Sequence, residues 1–299
     1  MKKSFWWVAL GASLLPTAFM GCPRRGRPPS KVAPQRPARP VGEKITIRCL
    51  TGNTMRPPME ELARLYHQRT GRRVEFDFGD SGELFAKIDI TKKGDVFVCH
   101  DPFLVLVKKR GLCDRAWTVA SLKPVIVVRK GNPKGIKGLR DLFKPGVKVG
   151  LPHPKYSTCG NILKFVILKK AGLEEEARRR TATYSRHHAE LANSVMMGAL
   201  DAAIVWDAVA RPRRKALDII EIEPEYAAKP GVDTVTTATY GPVDMGYIRV
   251  TVITLTCSKQ IELARDFAKF CASPEGRRIF RKHGFSPPLE EGRPEGSQP

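Results

Sequence analysis

From residue 44 onward, short apolar runs alternate with stretches whose apolar residues recur every three or four positions. This switching of period predicts strands followed by helices. Strand-like runs fall at Lys44–Leu50, Arg73–Phe78, Gly94–Cys99, Leu122–Arg129, Val147–Leu151, Ala202–Val205, Leu217–Ile222 and Tyr247–Cys257. Helical patterns fall at Met59–Thr70, Leu84–Ile90, Phe103–Arg110, Leu139–Phe143, Ile162–Ala171, Ala189–Met197, Ile261–Ala272 and Pro274–His283. In the first of these, Met59, Leu62, Ala63 and Tyr66 share one face. The order predicts an α/β fold of open, mostly parallel sheets flanked by helices. Residues from roughly 43 to 288 are too many for one comfortable core and enough for two lobes.

The polar residues between these elements are not scattered. Four strand-like runs end in turns rich in hydroxyls or glycine: Thr51-Gly52-Asn53-Thr54, Gly79-Asp80-Ser81-Gly82, Tyr156-Ser157-Thr158-Cys159-Gly160 and Trp206-Asp207. The first N–H groups of a helix lack partners within it and carry the positive end of its dipole, so such starts can bind an anion. A single Ser or Thr there is an ordinary N-cap. Several in a strand–turn–helix chain point further, to a shared anion site.

The first 43 residues read differently. Met1-Lys2-Lys3 and the apolar run Phe5–Leu15 have the make-up of an export signal and are too short to span a membrane. Phe19-Met20-Gly21-Cys22 resembles a bacterial lipobox, in which Cys22 would be lipidated as the first mature residue. Residues 1–22 are thus expected to be a lipoprotein signal. Residues 23–43, with six prolines and six Lys or Arg, cannot bury enough apolar area to fold and are expected to act as a tether. At about 3.1 Å per residue, it would reach on the order of 60 Å from a membrane.

The net charge is +22, and eight of the positive charges stand before Glu43 with no acid among them. The remaining excess is spread along the body; Arg178-Arg179-Arg180 and Arg211–Lys215 are its dense runs and read as solvated faces, so no nucleic-acid partner is expected. A positive field would speed the capture of anions. Beyond Cys22 there are six cysteines, which allow fifteen pairings, and no C-x-x-C. Several lie in apolar strand patterns, where Cys is often plain core.

The order of elements resembles the molybdate/tungstate-binding periplasmic proteins of ABC importers, a branch of the type II solute-binding proteins. The likeness covers about residues 44–288 and rests on Gly79-Asp80-Ser81-Gly82 before a helix, Gly94-Asp95-Val96-Phe97-Val98, Asp201-Ala202-Ala203-Ile204-Val205-Trp206 and the terminal Gly284-Phe285-Ser286-Pro287. It implies a two-lobed type II periplasmic binding fold with two crossing hinge strands, near Lys123–Arg129 and Tyr247–Thr254. One lobe would hold 44–122 and 252–288, the other 125–247, with 289–299 as a disordered tail. A tetrahedral oxyanion, molybdate or tungstate, would lie between the lobes at the carboxyl ends of strands. Carried over residue by residue, its contacts would come from Thr51, Gly52, Asn53 and Thr54, from Ser81 and Gly82, from Ser157, Thr158 and Cys159, from the helix start at His188, and from Trp206 with Asp207. Trp206 stands where the family has a ligand-facing Tyr; an indole gives one N–H and no hydroxyl, which bears on which oxyanion is bound rather than on how. The resemblance further implies ABC permease partners, a monomer, a periplasmic or cell-surface location anchored through Cys22, no cofactor and no catalysis.

Other chemistries were weighed against the same residues. His187-His188 invites a metal, but adjacent residues at a helix start point apart. Asp80, Asp101 and Asp207 together would suit a hard cation; Asp207 alone reads as a helix cap. Asp80 and Glu83 flank Ser81 and are expected to point away from a dianion or to cap the helix. Cys159 with His153 or His188 could make a thiol nucleophile at a helix start. The alternatives are therefore a binding protein for another small anion or a metal ion, an exported Cys/His enzyme, or a sensor that keeps the fold without transport.

Overall fold

The computed structural model describes residues 46–237 and 241–289. The described residues belong to one compact unit. The expectations for the export signal, Cys22, the tether and the tail after Leu289 lie outside the described residues.

The first sheet is built from β1 (Thr46–Gly52), β2 (Arg73–Gly79), β3 (Val96–His100), β4 (Cys113–Leu122) and a late strand. The second uses β5 (Pro124–Arg129), β6 (Val149–Pro152), β7 (Thr181–Ser185), β8 (Ala202–Trp206) and β9 (Leu217–Ile220). A hairpin of β10 (Thr234–Thr237) and β11 (Gly241–Asp244) precedes β12 (Ile248–Leu255), the late strand that returns to the first sheet. The orders are β2-β1-β3-β12-β4 and β7-β6-β8-β5-β9. Each sheet is the foundation of one lobe, and the two-lobed α/β architecture is the one the element order predicts.

The sheets are mixed rather than mostly parallel. β1 pairs parallel with β2 and β3, whereas β12 runs antiparallel to β3 and β4. In the second sheet β6 is parallel to β7 and β8, and β5 is antiparallel to β8 and β9. The antiparallel strands are those next to the crossings. The chain passes from one sheet to the other through Lys123 alone, between β4 and β5, and returns through Met245–Tyr247 into β12, where Ile248 pairs with Leu122.

Helices cover these sheets for the reasons their sequences give. α1 (Arg56–Thr70) opens with prolines in its first turn, where a missing N–H costs nothing, and buries Pro58, Met59, Leu62, Ala63 and Tyr66. α2 (Ser81–Thr91), α3 (Phe103–Lys109), α4 (Thr158–Ile162) and α5 (Leu168–Ala171) follow strands; a π-helical turn, Leu163–Ile167, joins the last two. α6 (Glu174–Arg180) places three Glu in its first turn and three Arg in its last, which complements the helix dipole. α7 (His188–Met196), α8 (Asp207–Ala210), α9 (Ile261–Ala272) and α10 (Pro274–Lys282) complete the set.

Where the C-terminal segment meets the first crossing, it is tied down. Ser121 and Ser286 exchange backbone hydrogen bonds, and the Ser121 hydroxyl donates to the Pro287 carbonyl at 2.7 Å. Phe285 is buried. All six cysteines of the described residues are free thiols, four of them fully buried, so they serve as core rather than as staples.

Candidate functional site

Strand ends place the site. In β1 and β2, Gly52 lies opposite Gly79, so the turns that follow leave the sheet side by side. A Cβ built on Gly52 would stand 2.7 Å from the Ser81 hydroxyl and 2.6 Å from a Met55 methyl, so only glycine lets the first turn approach Ser81 this closely. Ser81 opens α2 and is buried, and its hydroxyl has no hydrogen-bond partner among the described residues. His100 ends β3 beside these turns.

The other wall comes from the second sheet. Ser157 caps α4 by accepting from the Gly160 N–H at 3.5 Å, which leaves the N–H groups of Thr158 and Cys159 without intrahelical partners. His188 opens α7, stacks on Trp206 with ring centroids 5.4 Å apart, and shares a 3.3 Å hydrogen bond with the Ser157 hydroxyl. The walls enclose a cavity of about 340 Å³ lined by Thr54, Ser81, Gly82, Ser157, Thr158, His188 and Trp206 among others. A neighbouring cavity of about 310 Å³ shares Thr54, Ser81 and His188 and adds Gly52 and Asn53. Nine of the twelve expected ligand residues thus gather in one cleft from both lobes.

Three do not. Thr51 is fully buried, with its hydroxyl 3.2 Å from the Cys49 sulfur, because an alternating strand turns its side chain into the core. Cys159 is fully buried; burial, with Asp207 adding to it, pushes its thiol well above the usual range. That disfavours the thiolate a nucleophile requires. Asp207 is also fully buried, and burial pushes its carboxyl up against the lowering effect of Ser286, Arg211 and the Lys123 and Ala208 N–H groups. It accepts from Lys123 N at 3.2 Å, Ala208 N at 2.9 Å and the Ser286 hydroxyl at 2.6 Å, and Arg211 lies 3.0 Å away. Asp207 is a structural knot behind the cleft, joining the crossing to the C-terminal segment.

The cleft also holds residues that no sequence motif marks. Arg186, in the loop before α7, reaches across to the first lobe and donates to Asp80 at 2.7 Å and to Glu83 at 3.3 Å. Asp80, at the N-cap position of α2 but without a side-chain cap bond, and Glu83 therefore line the cleft, and the single charge of Arg186 from the other wall offsets only one of the two carboxylates. Nothing in the local sequence pairs residues 103 and 106 positions apart. Asp101, expected beside a hard cation, is instead buried and held by Arg249, whose Nε donates at 2.7 Å. No group of three or more metal-binding side chains occurs among the described residues.

His188 carries no charge here. Burial, reinforced by His100 and His187 nearby, pushes its pKa down to about 3. The cleft thus offers hydroxyls, helix N-termini, an indole and neutral imidazoles beside two cations: Arg186, paired with Asp80 and Glu83, and Lys155, whose ammonium lies 5.3 Å from the Tyr156 ring centroid.

A two-lobed frame with a polar ligand cleft at converging strand ends defines a binding protein. Residues 47–286 match the bacterial extracellular solute-binding proteins, and the chain belongs to that family. It is 26% identical over 276 residues to a sulfate-binding protein of Synechococcus elongatus, covering 85% of this chain and 75% of the relative. A molybdate-binding protein of Mycobacterium tuberculosis, ModA, is 28% identical over 223 residues, 73% of this chain and 75% of that one. Among solved structures, the periplasmic molybdate-binding protein of Azotobacter vinelandii superposes with a TM-score of 0.60 at 16% identity, over 81% of this chain and all of that one. The family and these relatives are binding proteins, not enzymes, and its members are extracellular. No described helix is long and apolar enough to cross a membrane.

Proposed function

We propose that this protein is the solute receptor of an ABC importer and captures a tetrahedral oxyanion, with molybdate or tungstate as the ligand. The observation that carries the reading is the convergence of uncommitted donors from both lobes: the Ser81 hydroxyl and the α2 start on one side, Thr158 and the α4 and α7 starts on the other. Relatives named for molybdate and sulfate support the oxyanion class. Neutral donors can hold a dianion without a full countercharge, and closure around it follows from contacts made by both lobes. The lobes, 44–122 with 252–288 against 125–247, would turn about the two crossings. The permease subunits would read the closed form of a monomer held at the membrane by lipid on Cys22.

Calorimetry on the protein lacking residues 1–42, with molybdate, tungstate, sulfate, thiosulfate and phosphate in turn, tests this. Heat with one of the first two at the tightest affinity is the expected result; no heat with any ends the oxyanion reading. Replacing Ser81 by alanine removes one hydrogen bond to a charged ligand, about 1.5–3 kcal/mol. Binding should weaken by roughly ten- to a hundredfold while the melting temperature holds. Only Trp117 and Trp206 remain in that protein, so closure should register in the fluorescence of Trp206. If S81A binds like the parent and fluorescence ignores every oxyanion, the residue assignment fails.

Anchoring is tested separately. Cys22→Ser should leave the protein without fatty-acid label and release it from the membrane fraction. Retained label would place the lipid elsewhere.

A further inference from the structure

His100 stands at the end of β3 and lines both chambers of the cleft, yet its chemistry is unlike that of the hydroxyls around it. Its Nδ1 lies 2.7 Å from the backbone carbonyl oxygen of Asp101. A carbonyl oxygen only accepts, so Nδ1 carries the hydrogen. The uncharged ring then has a bare lone pair on Nε2. That nitrogen has no partner among the described residues. It is also not one of their closed-off, unpartnered polar atoms, which are His188 Nδ1, Thr251 Oγ1 and Arg277 Nε. Nε2 is therefore reached from the cleft. A lone pair facing a site for anions repels every ligand oxygen unless a proton lies between them.

We propose that Nε2 of His100 shares one proton with the bound oxyanion, so that capturing a fully deprotonated dianion takes a proton up from solvent. The proposal rests on the oxyanion reading and deepens it. The balance is simple: solvent supplies H⁺, an N–H bond forms at Nε2, and the new N–H donates to a ligand oxygen. No other bond changes.

The surroundings fit this. Burial holds the His100 pKa below its ordinary value, against the raising effect of the Asp101 carbonyl and of the Asp101 and Asp80 charges. The ring is uncharged above neutrality. The groups facing it are Asp101 on its own strand end, Asp80 from the β2–α2 turn and His188 from α7, with Phe103 and Trp206 edge-on at 5.9 and 6.0 Å. Asp101 is engaged by Arg249, and Asp80 by Arg186. A dianion entering beside the ring favours its charged form. The pKa is low before binding and raised after it, so affinity is greatest at low pH and falls as pH rises above the free value.

The test uses the full chain in detergent with molybdate, tungstate and sulfate as probes. Calorimetry at pH 8 in buffers of different ionisation enthalpy should show about one proton taken up per anion, and affinity should fall by up to about tenfold per pH unit between pH 7 and 9. A glutamine amide at position 100 can donate from nearly the same place without titrating. H100Q should therefore bind with no proton uptake and a flat pH profile. In case H100Q folds poorly, long-range ¹H–¹⁵N spectra of the parent should show the Nε2 of His100 gaining a proton as molybdate is added. Binding without uptake in the parent overturns the proposal, as does uptake that survives H100Q. Absence of binding by all three anions overturns the oxyanion reading itself, a result distinct from either.

Discussion

Asp207→Ala should lower the melting temperature by roughly 6–20 °C, making it among the most damaging single substitutions in the chain. The carboxylate is fully buried and accepts from the Lys123 and Ala208 N–H groups and the Ser286 hydroxyl, with Arg211 at 3.0 Å. Alanine leaves those donors without their acceptor. Removing one partner of a buried charged network costs about 3–5 kcal/mol, and for a body of this size each kcal/mol moves the midpoint by about 2–4 °C. The loss has a location: Lys123 is the whole of the first crossing, and Ser286 belongs to the segment that pairs with Ser121 just before it. Asn at 207 keeps the shape and one acceptor, so D207N should fall between alanine and the parent. Thermal unfolding of the three proteins checks the order, and a D207A midpoint within a degree or two of the parent would show that the crossing is held by something else.

Gly160→Ala should damage both stability and ligand capture. A Cβ at 160 would overlap the His153 carbonyl group and lie 2.8 Å from the Pro152 carbonyl oxygen, all of it backbone that cannot swing aside. The loop from Pro152 to Ser157 must then move away from α4. Overpacking of this kind costs up to about 3 kcal/mol. The same loop carries Tyr156 and Ser157 into the cleft, so its displacement misplaces donors worth about 1.5–3 kcal/mol each toward a charged ligand. Oxyanion affinity should drop at least about tenfold. Gly82→Ala is the matched control for folding. Its Cβ would meet only the Phe103 ring, at 3.6 Å, an ordinary contact, so its melting temperature should stay close to the parent's. Calorimetry and melting on both variants decide the matter; parent-like behaviour of G160A would mean the loop is not pinned where the structure places it.

The Arg186 bridge bears on how the cleft closes. It joins the lobes through Asp80 and Glu83, and its partners are substantially exposed. Exposed pairs are worth little each and are screened by salt. The bridge is therefore a weak tie between the lobes and does not lock them together.

Much of this molecule is determined by local sequence. The strands Val96–His100 and Ala202–Trp206 are almost wholly buried and read as unbroken apolar runs because helices cover both of their faces. Helix starts such as Ser81 and Ser157-Thr158 are visible because the residues that begin a helix differ chemically from those that continue it. From these the α/β class, the order of elements and the hydroxyl-bearing turns follow. Edge strands are harder to see. Cys113–Leu122 begins with Cys-Asp-Arg, where Asp114 is satisfied by Arg265 from α9, and Thr181–Ser185 is a polar run at the rim of the second sheet. Only the tertiary structure shows that such runs are strands, because their stability comes from partners remote in sequence.

The same division runs through the site. Sequence places Thr51, Cys159 and Asp207 in the right turns but does not reveal which way each side chain faces. A one-residue step along a strand reverses that direction, and a helix start turns by about 100° per residue. The structure turns all three inward and brings in His100 and Arg186, which no motif marks. His100 acquires its character from one carbonyl 2.7 Å from its ring, and Arg186 from carboxylates on the opposite lobe. That hydroxyl-bearing turns stand at strand ends is legible along the chain; which of them face the cleft is decided by packing, because facing is set by contacts between segments that are adjacent only once the chain is folded.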